Sequence, residues 1–214
     1  MAPLVLIIGN KNYSSWSLRP WLAMQHFGVA FEEVRIPLDT PQTQEQLRHY
    51  SPSLKVPVLR HGELVIWESI AILEYLAELF PEYSWYPKDA TARAIARCVS
   101  AEMHAGFMPL RTHMPMDFRS RYPGQGRTPQ VLQDIDRVCQ IWRECRDQFG
   151  AQGSFLFGEL GIADAMYAPV VTRFLTYGVE LDATCQDYAE AMLALPAMQT
   201  WLAAAEAEVE VIHH

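Results

Sequence analysis

Leu54-Lys55-Val56-Pro57-Val58-Leu59, followed after a short turn by Leu64-Val65-Ile66-Trp67-Glu68-Ser69-Ile70-Ala71-Ile72, is the stretch from which the fold is read. Arg60-His61-Gly62-Glu63 separates two short apolar runs, and a Gly-containing connection of that length signals a β-hairpin. Pro57 stands just before the first run, a position that needs no ladder donor. A cis bond at Val56-Pro57 would turn the backbone groups of Val56 outward, free to pair with an extended ligand. Glu68-Ser69 falls where the second strand ends and a helix over residues 70–80 begins. Helix starts collect anions, because unpaired N–H groups and the dipole point there. A carboxylate, a hydroxyl and a free backbone edge thus converge on one spot, suited to a short peptide carrying both an amine and a carboxylate. Taken alone, the same residues also fit a hairpin and a capped helix with no ligand, Ser69 serving only as N-cap and Glu68 as a solvated acid.

Outward from this stretch the pattern alternates. Leu4-Val5-Leu6-Ile7-Ile8 is a continuous apolar run, the mark of a strand buried on both faces. Residues 16–27 are helical in pattern, with Pro20 expected in the first turn, where a missing N–H does little harm, and Gly28 ending the helix. Residues 31–36 alternate as a second strand, and 43–50 read as a short polar helix. The order over residues 1–80 is β-α-β-α-β-β-α: a small α/β domain with a mixed sheet, a parallel right-handed βαβ first and an antiparallel hairpin last. Residues 81–88 form a linker, Pro81-Glu82-Tyr83-Ser84-Trp85-Tyr86-Pro87-Lys88. Its prolines stop the flanking helices and its aromatic content predicts that it packs down. No strand pattern appears in residues 89–214. Helices are expected over 90–108 (stripe Ile95, Val99, Met103, Phe107, with Pro109 and Pro115 as interruptions), 129–149 (stripe Leu132, Ile135, Val138, Cys139, Trp142), 162–177, and two shorter segments near 185–193 and 196–208. The helix over 162–177 is apolar all round and should be central. The second domain is therefore all-α.

Composition narrows the function. The 214 residues carry 17 Lys and Arg against 25 Asp and Glu, a formal net charge of −8, which argues against non-specific nucleic-acid or anionic-membrane binding. Cys98, Cys139, Cys145 and Cys185 form no CxxC pair and have no metal-ligand spacing with a histidine, so no metal site is expected and the thiols read as buried or idle in a reducing compartment. Residues 4–8 lack a preceding basic region and a following cleavage site, so they read as a strand and not a signal peptide. No apolar stretch reaches the ~20 residues of a membrane span. His213-His214 read as the start of an affinity tag and carry no function.

The turn Tyr13-Ser14-Ser15-Trp16-Ser17 sits between the first strand and first helix, at the carboxyl edge of the sheet where α/β folds bind ligands. Its hydroxyls are candidates for contact with a ligand. Equally, Ser15 or Ser17 caps the helix. A serine hydrolase is disfavoured by the lack of a G-x-S-x-G elbow, and a thioredoxin-type redox site by the lack of a cysteine near Ser14.

Order and spacing over almost the whole chain resemble the soluble glutathione transferases. Val56-Pro57 with Glu68-Ser69-Ile70-Ala71-Ile72 is similar to that family's glutathione signature. Ser14-Ser15-Trp16-Ser17-Leu18-Arg19 resembles the SSCSWR segment of the zeta class, the maleylacetoacetate isomerases, as do Arg97-Cys98-Val99-Ser100-Ala101-Glu102 and Pro109-Leu110. Gly161-Ile162-Ala163-Asp164 resembles the capping motif that opens the buried helix of the α domain. The resemblance implies a thioredoxin-like N-terminal domain with a mixed four-stranded sheet, an all-helical C-terminal domain, a cytoplasmic homodimer, and glutathione as co-substrate. It implies that Ser14 or Ser15 bonds the glutathione sulfur, Ser14 being favoured and Ser15 spending its hydroxyl on the cap. Lys55, Val56 and Pro57 would flank the cysteinyl unit, with Val56 pairing backbone to backbone, and Glu68 and Ser69 would hold the γ-glutamyl end. Trp16 stands where the zeta class has cysteine, Lys55 where it usually has glutamine, and Gly161 where the cap is usually Ser or Thr. A small electrophile would enter between the domains near Met103, Phe107, Met108, Arg111 and Met114, with Arg111 suited to an anionic substrate. Transferase chemistry is expected first; a glutathione-dependent cis-trans isomerase and a non-catalytic binding or scaffold protein are the alternatives.

Overall fold

The computed structural model describes residues 2–212; His213 and His214, set aside above, lie outside the described residues. The elements in chain order are β1 (Leu4–Ile8), α1 (Ser15–His26), β2 (Glu32–Arg35), α2 (Thr43–Arg48), β3 (Val58–His61), β4 (Leu64–Trp67), α3 (Ser69–Leu79), α4 (Ala90–Ala105), α5 (Met108–His113), α6 (Pro129–Phe149), α7 (Ile162–Tyr177), α8 (Ala183–Ala194) and α9 (Pro196–Ala207). The four strands form one sheet in the order β2-β1-β3-β4. β1 and β2 are parallel; β1 with β3 and β3 with β4 are antiparallel. This is the mixed sheet expected from the hairpin and the apolar run.

Each face of β1 is covered, which is why its sequence does not alternate. Leu4, Leu6 and Ile8 join the large core with Leu18, Trp21, Leu22, Ile72, Leu73 and Leu76 of α1 and α3. Ile7 joins a smaller cluster with Ile36, Leu47 and Val58 beneath α2. β2 and β4 are edges, so their patterns are largely exposed or half-buried.

Every residue of α7 from Ile162 to Phe174 is buried, the central helix expected from its apolar circumference. α1 and α4 pack on it, so the two halves share one core. The linker lies against the same helix. Trp85 is 2% exposed, donates its indole N–H to Phe80 O, and accepts the first N–H of α7 from Ile162 on its carbonyl at 2.9 Å. That carbonyl explains why residue 161 has no side chain: a Cβ on Gly161 would sit 2.9 Å from Trp85 O. The cap is completed from inside the helix. Asp164 Oδ2 accepts from Gly161 N at 2.9 Å and Oδ1 from Leu156 N at 3.0 Å, half of a capping box.

Three expectations need correction. Pro20 lies in the second turn of α1, because the helix begins at Ser15. α4 ends at Ala105, before Met108: Gly106 is extended and Phe107 left-handed, with φ 55°, so the chain breaks two residues ahead of Pro109. Ile95 and Leu132 are exposed at 37% and 46%. The buried face of α4 runs through Ala92, Ala96, Val99 and Met103, and that of α6 through Val131, Ile135, Val138 and Trp142. The strict four-residue spacing Ile95-Val99-Met103-Phe107 drifts off the α4 face, because a turn holds 3.6 residues, and on α6 Val131 takes the buried position beside Leu132. Cys139, Cys145 and Cys185 are buried free thiols and Cys98 is exposed.

Candidate functional site

A cavity of about 270 Å³ lies at the seam between the sheet-bearing and helical halves. Ser53, Lys55, Val56, Pro57, Glu68 and Ser69 line one side, Trp16 borders them, and His104 and Arg111 close it from the helical half. A larger cavity of about 440 Å³ runs under the linker between Ser84, Phe149 and Asp164. Asp164, its one buried carboxylate, is committed to the α7 cap, so the smaller, more polar space is the candidate site.

The Val56–Pro57 bond is cis. Glu68, at φ 71° and ψ 124°, is the N-cap residue of α3 but makes no side-chain cap, and its carboxylate stays about half exposed. Ser69 is 1% exposed, and its Oγ has no hydrogen-bond partner among the described residues. A buried hydroxyl without a partner costs ~1–3 kcal/mol, so neither residue is spent on capping, and Ser69 Oγ is left beside the cavity. The open N–H groups of the first α3 turn begin at the same place. The site thus collects an acid, a hydroxyl and helix-terminal donors within one small space.

The helical half adds two groups that sequence reading did not combine with these. His104 Nε2 is 3.7 Å from Glu68 Oε2. Burial holds the imidazole below its ordinary value, with Arg19 and Arg111 adding to that and Glu68 opposing; it is therefore neutral at neutral pH, and the contact is not a full ion pair. Its ring stands edge-on to Trp16, centroids 5.4 Å apart. Arg111 lies over the Trp16 ring at 5.1 Å, and its Nε has no partner among the described residues. Arg19 lies over the same ring at 4.1 Å.

Of the residues expected around a second substrate, Arg111 alone lines this cavity. Met103, Phe107 and Met114 are core residues, at 0%, 7% and 0% exposure, and Met108 is 61% exposed. The break at Gly106-Phe107 turns Met108 away from the stripe that a continuous helix would have made.

Neither Ser14 nor Ser15 lines the cavity, although their neighbour Trp16 does. Ser14 is the N-cap residue of α1 yet makes no side-chain cap; its Oγ lies 2.7 Å from Ser17 Oγ. Ser17 Oγ in turn accepts from Gly9 N at 3.1 Å. Ser15 was expected to spend its hydroxyl on the cap. Instead its Oγ accepts from Arg173 Nη2 at 3.2 Å, across the seam. Sequence reading did not single out Arg173, which stands on the helix read as apolar all round.

Both halves of the chain resemble known proteins. Residues 13–79 match the family described as glutathione S-transferase, N-terminal domain, and residues 125–204 match the glutathione S-transferase C-terminal domain. A probable maleylacetoacetate isomerase of Caenorhabditis elegans is 36% identical over 162 residues, 74% of this chain and 75% of that protein. Maleylacetoacetate isomerase of Rattus norvegicus is 29% identical over 206 residues, 88% and 87% of the two chains. Among solved structures, a glutathione transferase homologue from Burkholderia with bound glutathione superposes with a TM-score of 0.73 at 23% identity, covering 95% of this chain and 98% of that one. The holo structure of a bacterial maleyl pyruvate isomerase, a zeta-class glutathione S-transferase, gives 0.72 at 20% identity over 95% and 99%. The chain belongs to the glutathione S-transferase family, an enzyme family, and is a zeta-like member of it.

Proposed function

We propose that this chain binds glutathione in the cavity at the seam and uses its thiolate as a nucleophile toward a small electrophile. The observation that carries the reading is Ser69, a buried hydroxyl with no partner beside Glu68 and the cis Val56–Pro57 bond. In this reading Glu68 takes the γ-glutamyl amine, Ser69 and the first α3 turn take its carboxylate, and the Val56 backbone pairs with the cysteinyl unit, Lys55 and Pro57 flanking it. Residues 1–80 supply these contacts, and residues 89–214, beyond the linker 81–88, supply the far wall. A free thiol titrates near ~8.5. Hydroxyls of Ser14 and Ser15 that bond the charged form lower that value and raise the nucleophile population at neutral pH. Arg111, facing the cavity beside Trp16, provides for an anionic electrophile.

Transfer and isomerisation share the first step, attack of the thiolate on the electrophile. With a leaving group, sulfur keeps the new bond and transfer is complete. With a conjugated enone, addition turns the double bond single, rotation follows, and elimination returns the thiolate with the other isomer. The names of the two isomerase relatives favour the second outcome for one substrate class. Calorimetry with glutathione, then turnover on aryl halides, peroxides, disulfides and maleylacetone, tests the reading. Micromolar-to-millimolar binding with turnover on part of the panel supports it; no binding refutes it. Binding with no turnover on any member marks a non-catalytic binding protein. We further propose a homodimer, supported by the exposed apolar residues Leu64 and Trp67 on edge strand β4 and Ile95 on α4.

A further inference from the structure

Two arginines of the core converge on Ser15. Arg173, on α7, donates from Nη2 to Ser15 Oγ at 3.2 Å, from Nε to Met114 O at 2.9 Å and from Nη1 to Pro169 O at 3.2 Å. Arg19, one turn along α1, donates from Nη1 to Ser15 O at 3.3 Å and from Nε to Met166 O at 2.9 Å. Both are buried, at 4% and 0% exposure. No carboxylate lies within 4.0 Å of either among the described residues. Arg111, on α5, adds a third positive charge nearby, and Tyr177 is the other titratable group acting on Arg173. Burial first, then Arg111, pushes Arg173 down to about 10, still protonated at neutral pH. Unpaired buried charge costs several kcal/mol per ion. A fold that holds two such charges on one serine makes its surroundings strongly positive, which favours an anion brought close to that serine.

The bond also fixes the direction of one proton. A guanidinium only donates, so Arg173 occupies a lone pair of Ser15 Oγ and leaves the hydroxyl hydrogen uncommitted. No acceptor for that hydrogen is found among the described residues. Ser14 is different, since in its pair with Ser17 either oxygen is able to donate. A hydroxyl whose oxygen is bonded to a cation is a better donor than one bonded to a neutral group, because hydrogen bonds in a chain polarise one another.

We propose that Arg173 is a positioning residue that acts through Ser15, holding its hydroxyl as the donor to the bound glutathione thiolate. This rests on glutathione being the ligand. It also means that the thiol site is assembled from both halves: the serine from α1, the residue that aims it from α7.

The test is the ultraviolet absorbance of the thiolate against pH for bound glutathione, with calorimetry run first on the parent. Replacing Arg173 by an apolar residue would also orphan the Met114 and Pro169 carbonyls, so the conservative Arg173→Lys is used, with Ser15→Ala, Ser14→Ala and the Ser15→Ala/Arg173→Lys double variant. Expected are glutathione affinities within a few-fold of the parent and a thiol pKa raised by about one unit in Ser15→Ala, ten-fold less thiolate at a pH below both values. Arg173→Lys should give a smaller rise, and no further rise in the double variant. An Arg173→Lys shift that persists undiminished without Ser15 would overturn the proposal, showing a through-space charge alone. So would an unmoved titration in both single variants, or a shift confined to Ser14→Ala. A parent that does not bind glutathione removes the proposed function and this inference together; a parent that binds with a lowered thiol pKa, unmoved by these variants, removes this inference alone.

Discussion

Replacing Asp164 by alanine tests the account of the seam at its most buried acid. Asp164 is 0% exposed and holds two backbone donors, Leu156 N at 3.0 Å and Gly161 N at 2.9 Å. Alanine leaves both donors without an acceptor, at ~1–3 kcal/mol each. Part of that is returned, because the carboxylate itself is unhappy there: burial pushes it up from 3.8 to about 6 against the pull of those hydrogen bonds. The net cost at neutral pH is about 2 kcal/mol, a fall in thermal midpoint of roughly 4–8 °C for a chain of this size. The pH dependence has a definite sign. A raised carboxyl pKa means that between about pH 4 and pH 6 the folded chain keeps a proton that the unfolded chain has released, so this group's contribution falls as pH rises through that window. From about pH 7 to about pH 5 the parent gains on the order of 1 kcal/mol from Asp164, and the alanine variant gains nothing from it. The gap between parent and variant therefore widens on acidification. Differential scanning fluorimetry at the two pH values reads it directly. A variant as stable as the parent at both would refute the cap, and a gap that narrows at the lower pH would refute the buried-charge argument.

Glu68→Ala should weaken glutathione binding at least ten-fold by calorimetry while leaving the thermal midpoint nearly unchanged, because its carboxylate is half exposed and caps nothing; unchanged affinity would remove Glu68 from the site. Gly161→Ala should cost ~1–3 kcal/mol through overpacking, since its Cβ meets Trp85 O at 2.9 Å; a neutral effect in chemical denaturation would mean that the linker yields. Sedimentation at micromolar concentration should give twice the monomer mass, and a stable monomer would count against the exposed β4 face as a contact between copies.

Much of this was legible because local chemistry and tertiary structure agree. The Val56-Pro57 hairpin, the apolar run of β1, and the bounds of α6 and α7 follow from punctuation by Pro and Gly and from pattern. The buried all-round character of α7 marked it as central. What sequence hid was of two kinds. The end of α4 depended on Phe107 adopting a left-handed conformation, for which an aromatic gives no warning, and with it went the placement of Phe107 and Met108. The other kind is burial of charge. Arg19, Arg173 and His104 are polar side chains on helices, where the ordinary reading is a head group reaching solvent, even with apolar neighbours such as Leu18, Phe174 and Met103 beside them. Only packing of α1 and α4 on α7 puts them under Trp16 and Ser15. The same holds for Glu208, whose carboxylate takes the N–H groups of Lys11 and Asn12 at 2.6 and 3.0 Å from nearly two hundred residues away.

The carbonyl of Trp85 that receives the first N–H of α7 has a bearing on how this chain is to be cut and recombined. Residues between Pro81 and Pro87 look like a tether, the natural crossover for a chimaera that grafts one glutathione-binding half onto another relative's helices. Yet the tether finishes the end of a helix almost eighty residues downstream, and the glycine there has been shaped to admit it. A crossover placed after Pro87 would pair a foreign indole and backbone with Gly161 and leave Ile162 to find its own acceptor. One placed at Phe80 would carry the plug along with the socket it fits.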